Sequence, residues 1–402
     1  MTIQQYRWTS RTGPDHLPAV DEIFPFGERR RLPVDVADII LINAMAPTAS
    51  LKIKYATREN ELRLLRSYLL DRADGAVHLL HDEFRSSSLH VRRFVSESFG
   101  LGMLSAAVQS AYEWVAGSDA LYNFDALPVA LARKYSKSRI RPDLLFRTPE
   151  FLLAGEARGR SSRPSASTVQ QEERLNRLLP WAHARNQPLV MTWAYLTADG
   201  VTVHLYAPAE EGDWLDGEVG EPRPPSPPWH MDEAALTTLP GVVAPDALPA
   251  PVEGDAFPTP HGAEADTPRW SPPPRRPRSA DLVSADALFS AGEDVLPLVA
   301  HQLFESAPET PTRVAGRSMR GRWIPIDPVD VGRGSLLLGV LDEPLSPQEG
   351  WALVRDLRAR HRAGGPDADR FAGGDLAVAA RGRFLVAVAP RRQGQPWDVL
   401  AD

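Results

Sequence analysis

The chain of 402 residues contains no cysteine. That absence excludes disulfides, thiolate nucleophiles, thiolate zinc sites and iron–sulfur clusters, and it leaves the redox compartment open. Lysine is scarce as well: Lys52, Lys54, Lys134 and Lys137 stand among 45 basic residues, so arginine carries nearly all the positive charge. No apolar run approaches the ~18 residues of a membrane helix. The best run, Ile39 to Met45, is short and broken by Asn43. The opening residues, Met1-Thr-Ile-Gln-Gln-Tyr-Arg-Trp8, lack the basic-then-apolar order of a signal peptide. Walker loops, Gly-x-Ser-x-Gly elbows, Rossmann glycine fingerprints and internal repeats do not occur in the sequence. A soluble, cytoplasmic protein is expected, long enough at about 100–200 residues per domain for two or three cores.

What is present is unevenly spread. The net charge is −7, yet Ala130 to Arg185 holds twelve Arg/Lys against five Asp/Glu, a local +7. Ala209 to Asp266 holds thirteen Asp/Glu against Arg223 alone, a local −12. Pro208 to Pro277 contains seventeen prolines. Such a stretch offers few ladder donors and few clustered apolar residues, so an extended or disordered acidic linker is predicted over 208–280. Tethered after a basic segment, that linker either competes with a polyanion for it or is a solubilising spacer.

Periodicity divides the rest into an N-terminal α/β segment (1–88), a core (89–207) and a small C-terminal α+β domain (281–402). Val34 to Asn43 and Ser50 to Ala56 read as strands, and Arg58 to Arg72 as a helix with Thr57 as N-cap. A long helix is predicted over Leu89 to Gly117, then strands near Leu127–Ala132, Arg141–Phe146 and Phe151–Ala157. A helix from Thr168 toward Ala184, kinked or ended near Pro180, precedes a hairpin of Leu189–Leu196 and Val201–Tyr206 turned at Ala198-Asp-Gly200. Past the linker, Ser284 to Phe304 reads as a helix and Ser335 to Leu341 as a strand. Ser346-Pro-Gln-Glu349 is a capping box opening a helix to His361, and Asp375 to Val388 reads as a hairpin turned at Arg381-Gly382.

The chemistry concentrates in Pro142-Asp143 and in Gly155-Glu156-Ala157-Arg158-Gly159-Arg160. Strand alternation puts Glu156 and Arg158 on one face. If the flanking strands pair through Arg147-Thr-Pro-Glu150, Asp143 and Glu156 meet at a strand end. Two carboxylates there make a hard oxygen site for Mg²⁺ or Mn²⁺, and an adjacent cation would stabilise charge building on a phosphate. The alternative is a solvated ion pair on an ordinary sheet. His78-Leu-Leu-His81 lacks the His-Glu-x-x-His order of a metallohydrolase.

Pro142-Asp143, a spacer, then Glu156-x-Arg158 after an apolar strand resembles the PD-(D/E)XK superfamily of restriction-endonuclease-like nucleases. The order α-β-β-β-α-β from Leu89 to Tyr206 is similar to that family's core. The resemblance implies an α/β fold with a mixed sheet and a metal-dependent deoxyribonuclease, of restriction or phage-defence type. It implies Asp143, Glu156 and Arg158 as the catalytic set, and Asp143, Glu156 and the helix-borne Glu97 around Mg²⁺ or Mn²⁺, with the Ala157 carbonyl as a further ligand. Arg133, Lys134, Lys137, Arg139, Arg160, Arg163, Gln170 and Gln171 are the expected DNA contacts, RNA remaining open, and the C-terminal domain could serve a homodimer or partner subunit. One departure is chemical: the family's last motif residue is usually Lys, whereas Arg158 stays charged and cannot act as a base. A catalytically inactive nucleic-acid-binding or scaffolding subunit is therefore the second reading, and a Pro-rich interaction module the third.

Overall fold

A computed structural model describes residues 1–13, 17–32, 34–45, 54–71, 77–112, 121–123, 142–147, 152–165, 167–184, 187–198, 200–209, 299–326, 334–363, 376–389, 397 and 400. The expected strand over Leu127–Ala132, nearly all of the linker, and Arg133, Lys134, Lys137 and Arg139 lie outside the described residues.

The chain opens with a hairpin of β1 (Thr2–Thr12) and β2 (Pro18–Arg31) that sequence reading did not anticipate. Later strands are β3 (Leu69–Asp71), β4 (Val77–Leu79), β5 (Leu121–Asn123), β6 (Leu144–Arg147), β7 (Leu152–Arg160), β8 (Leu189–Thr197) and β9 (Gly200–Pro208). A mixed seven-stranded sheet runs in the order β2-β1-β9-β8-β7-β6-β5, and β3 pairs with β4 separately. The contacts β1–β9 and β7–β8 are parallel, the others antiparallel. The expected β8–β9 hairpin is present, with Gly200 at φ +129° and the Thr197 hydroxyl donating to the Gly200 carbonyl.

The helices are α1 (Val36–Met45), α2 (Tyr55–Ser67), α3 (His81–Ser86), α4 (Leu89–Ala111) and α5 (Val169–Ala184). The strand expected over Val34–Asn43 is helix α1. Its apolar run shows no helical stripe because nearly every side chain is buried, and a continuous apolar run does not distinguish a buried strand from a buried helix. Helix α2 begins at Tyr55, inside the second expected strand, with Lys54 rather than Thr57 at the N-cap position. Ser88 caps α4 through Val91, and α5 continues past Pro180 without ending there. His78 lies on β4 and His81 opens α3, so the two do not share a helical face.

The C-terminal part contains a helical stretch over 299–306, strands β10 (Glu309–Val314), β11 (Arg317–Pro325) and β12 (Ser335–Leu345), helix α6 (Pro347–Ala363) and strand β13 (Ala377–Ala389). The four strands form their own antiparallel sheet in sequence order. The capping box is made: the Glu349 amide donates to Ser346 Oγ, and the Ser346 amide to Glu349 Oε2 at 2.7 Å. Where a hairpin was expected over Asp375–Val388, β13 is one strand on β12. Gly382, at φ +54°, sits opposite Leu345 beside a register shift, so the glycine marks an irregularity within the strand.

This second sheet is separate in its hydrogen bonding, yet one of its faces joins the same core as the main sheet. Leu336, Leu338, Val340, Phe384, Val386 and Val388 pack in one cluster with α1, α2 and α4. Helix α1 is the middle layer, touching α4 on one side and β13 on the other. Polar ties secure the junction. Tyr55 Oη donates to the Leu338 carbonyl at 2.6 Å and accepts from the Arg322 amide, while the Arg322 guanidinium forks onto Glu59 at 2.6 and 2.8 Å. No helix among the described residues is long and apolar enough to cross a membrane.

Candidate active site

Strands β6 and β7 pair antiparallel, Leu144 opposite Gly155, and Pro142 and Asp143 lie just before β6. Pro142 has no amide proton to give. Asp143 continues the pairing in two ways: its amide donates to the Gly155 carbonyl at 2.9 Å, and its Oδ2 accepts from the Ala157 amide at 2.8 Å. The carboxylate therefore replaces a ladder bond, which fixes it beside the residue that follows Glu156. The expected meeting of Asp143 and Glu156 is what the structure contains, close enough for each charge to affect the other.

Strand β7 alternates strictly. Leu153, Gly155, Ala157 and Gly159 face α4, and Glu156, Arg158 and Arg160 face the opposite side. The helix approaches so closely that a Cβ on Gly159 would lie 1.8 Å from the Ser96 carbonyl oxygen. Only glycine permits backbone contact of this kind. Helix α5 covers the other face, tied to β2 by the bond from the Val20 amide to Asn176 Oδ1 at 2.6 Å.

Glu156 sits under α5 with no exposed surface. Its Oε1 accepts from Arg174 Nε at 2.8 Å and Nη2 at 2.7 Å, and from the Arg158 guanidinium. Its Oε2 is buried with no hydrogen-bond partner. Burial first, then the Asp143 charge, push the Glu156 carboxyl up to about 8 against the pull of Arg158 and Arg174. Arg158 and Arg174 are 29% and 22% exposed, so both guanidinia reach from solvent into the site.

Other expected site residues divide. Arg160 is exposed and stands over the Trp193 ring at 4.7 Å. Arg163 and Gln170 are exposed. Gln171 is buried rather than at the surface, donating through Nε2 to Tyr195 Oη at 2.9 Å. Glu97 must be corrected. It is 55% exposed and paired with Arg93 one turn earlier, because Ser96 is the α4 residue that meets β7 and its neighbour points elsewhere. Among the described residues no cluster of three or more His, Asp or Glu side chains could hold a metal, so the expected three-acid set reduces to Asp143 and Glu156.

Sequence reading missed Arg174 as a partner of Glu156, although it follows Gln171 by three residues and so shares its face of α5. It also missed the aromatic row beyond Trp193: Tyr195 and Tyr6 flank His204 at 5.0 and 4.9 Å, and Tyr206 stacks on Tyr6. Burial, with Arg29 adding to it, lowers the His204 imidazole to about 4. This row spans three neighbouring strands, β8, β9 and β1. No family model, curated protein or solved structure matches the chain.

Proposed function

We propose that the protein is a metal-dependent deoxyribonuclease, an endonuclease of restriction or phage-defence type, with its active site at Asp143, Glu156 and Arg158. The observation that carries the reading is the meeting of Asp143 with a buried Glu156 whose Oε2 has no partner. A buried unpaired carboxylate oxygen beside a second carboxylate costs free energy, which a hard cation would offset. The donor set fits: Asp143 and Glu156 would hold Mg²⁺ or Mn²⁺, with the Ala157 carbonyl adjacent. Such an ion, when bound, supplies Lewis acidity and lowers the pKa of a bound water. The chain's own residues do the rest. Arg158 brings a permanent positive charge to the phosphate, stabilising charge that develops there, and cannot act as the base that takes a proton from the attacking water. Arg174 holds Glu156 in place from α5, and Arg160 and Arg163 offer phosphate contacts whose strength falls with salt. Among the described residues the order α4-β5-β6-β7-α5-β8 supports the likeness to the PD-(D/E)XK core.

A second reading has its own observation. Two guanidinia already neutralise Glu156 Oε1, as suits a site that binds nucleic acid without cutting it. Plasmid incubation with Mg²⁺ or Mn²⁺ separates the readings. Wild-type cleavage that disappears in Asp143→Ala and Glu156→Ala supports hydrolysis. Cleavage found only in Arg158→Lys, with salt-dependent DNA binding by the wild type, supports the silent module. Neither binding nor cleavage overturns both.

A further inference from the structure

Arg158 is followed on its face of β7 by Arg160, and the strand register carries that row across the sheet. Arg160 stands opposite Tyr195, Tyr195 opposite Thr202, and Thr202 opposite Thr2. The row thus ends in the N-terminal hairpin, which precedes the stretch that resembles the nuclease core. Arg29, exposed on the edge strand β2, reaches back over it: its Nε donates to Thr2 Oγ1 at 2.9 Å and its Nη2 to Thr202 Oγ1 at 2.5 Å. The guanidinium is thereby held over the seam of β1 and β9, where its charge acts on Tyr6 and His204. At the other end Arg160 rests on the Trp193 ring, and its charge acts on Tyr195. Elsewhere exposed arginines meet carboxylates, as Arg11 meets Asp21 and Arg93 meets Glu97. Arg29 and Arg160 do not. Hydroxyls hold one and an indole the other, so both keep a full positive charge and unused N–H donors.

We infer that Arg29 and Arg160 grip two phosphates of one DNA strand, which leaves the carboxylate site along β7 and crosses β8 and β9 toward the N-terminal hairpin. This rests on the reading of Asp143, Glu156 and Arg158 as a DNA-cleaving site, and adds to it a substrate track and a task for the hairpin. With neighbouring strands ~4.8 Å apart, the two guanidinia stand on the order of 10 Å from each other. At ~3.4 Å of rise per nucleotide, that is about three nucleotides of one strand. The rings of Trp193, Tyr195 and Tyr206 are buried beneath, so they brace the cations rather than stack on bases. The contact is therefore to the backbone and carries no sequence information. A guanidinium held in advance by two hydroxyls loses little freedom on binding, and its charge-assisted bonds to phosphate are strong.

The test is fluorescence anisotropy of labelled duplex DNA of two unrelated sequences with the full chain in EDTA, from about 50 to 200 mM salt. Each phosphate contact adds about 0.9 to the fall of log affinity with log salt. Arg29→Gln and Arg160→Gln should each lower that slope by about 0.9 and weaken binding about tenfold at 0.1 M salt, equally for both sequences. Arg355→Gln, on α6, should bind as the wild type does. Bound DNA should also shield Arg29 of the wild type from phenylglyoxal, read by peptide mass spectrometry, which decides the matter should Arg29→Gln not fold. Wild-type binding that Arg29→Gln leaves unchanged, a loss confined to one sequence, or full modification of Arg29 in the complex overturns the track and leaves the carboxylate reading standing. A wild type without salt-dependent binding overturns both.

Discussion

Exchanging Glu156 for Gln isolates the electrostatics of the candidate site, because the amide keeps the side chain's shape and removes its charge. The Glu156 carboxyl moves from an ordinary 4.5 to about 8 in the folded protein, chiefly through burial. Between those values the native state holds a proton that the unfolded chain has released, so stability falls as pH rises across the window. At ~1.4 kcal/mol per tenfold, the displacement corresponds to a loss on the order of 5 kcal/mol between pH 4.5 and pH 8. Glu156→Gln has no such loss. Urea unfolding in EDTA, followed from pH 5 to pH 8.5, should give nearly equal midpoints for the two proteins at the acid end. The variant should become progressively more stable than the wild type toward pH 8. Comparing the proteins at each pH cancels the other titrating groups, including Asp38 and His204. A stability difference that does not change with pH, or a variant less stable at pH 8, would mean that Arg158 and Arg174 fully compensate an ionised Glu156, and the reasoning would fail.

Gly159→Ala forces a methyl group against the Ser96 carbonyl, so α4 must lift from β7; overpacking of this kind costs about 1–3 kcal/mol. Thermal unfolding should show the loss, and a Tm equal to wild type would refute the close approach. Tyr55→Phe strands the Leu338 carbonyl and the Arg322 amide at the sheet junction, and should cost about 1–3 kcal/mol in the same assay. An unchanged Tm would mean that those bonds do not secure the C-terminal sheet. His204, held near 4 against an ordinary 6.5, lends stability above pH 6.5 that is lost as pH falls toward 4. His204→Gln should remove about 2 kcal/mol of that acid-side dependence, read from urea midpoints at pH 4.5 and 7.

The carboxylate pair was legible because short-range rules place it: period-two alternation fixes the face of Glu156 and Arg158, and the antiparallel pairing of β6 with β7, close in sequence, brings Asp143 alongside. Arg174 was not, since its bond to Glu156 spans eighteen residues and two elements and leaves no local trace. Glu97 failed for a geometric reason. Which residue of α4 meets β7 depends on rotation of the helix, and Ser96 holds that position. Helix α1 was misread because burial on all sides erases the stripe that marks a helix, and that burial comes from a sheet about 300 residues later in the chain. The β1–β2 hairpin hid behind Pro25 and the exposed Arg29-Arg30-Arg31 of an edge strand, features that weaken a strand signal and protect a sheet edge.

The claim that Asp143 and Glu156 together grip a divalent ion is open to direct measurement by electron paramagnetic resonance of Mn²⁺ titrated into the full chain. One bound Mn²⁺ per chain is expected at pH 8, weakening as pH falls and Glu156 takes up its proton, and lost in both Asp143→Asn and Glu156→Gln. A wild type that leaves all Mn²⁺ free in solution, or variants that bind it as the wild type does, would contradict the account.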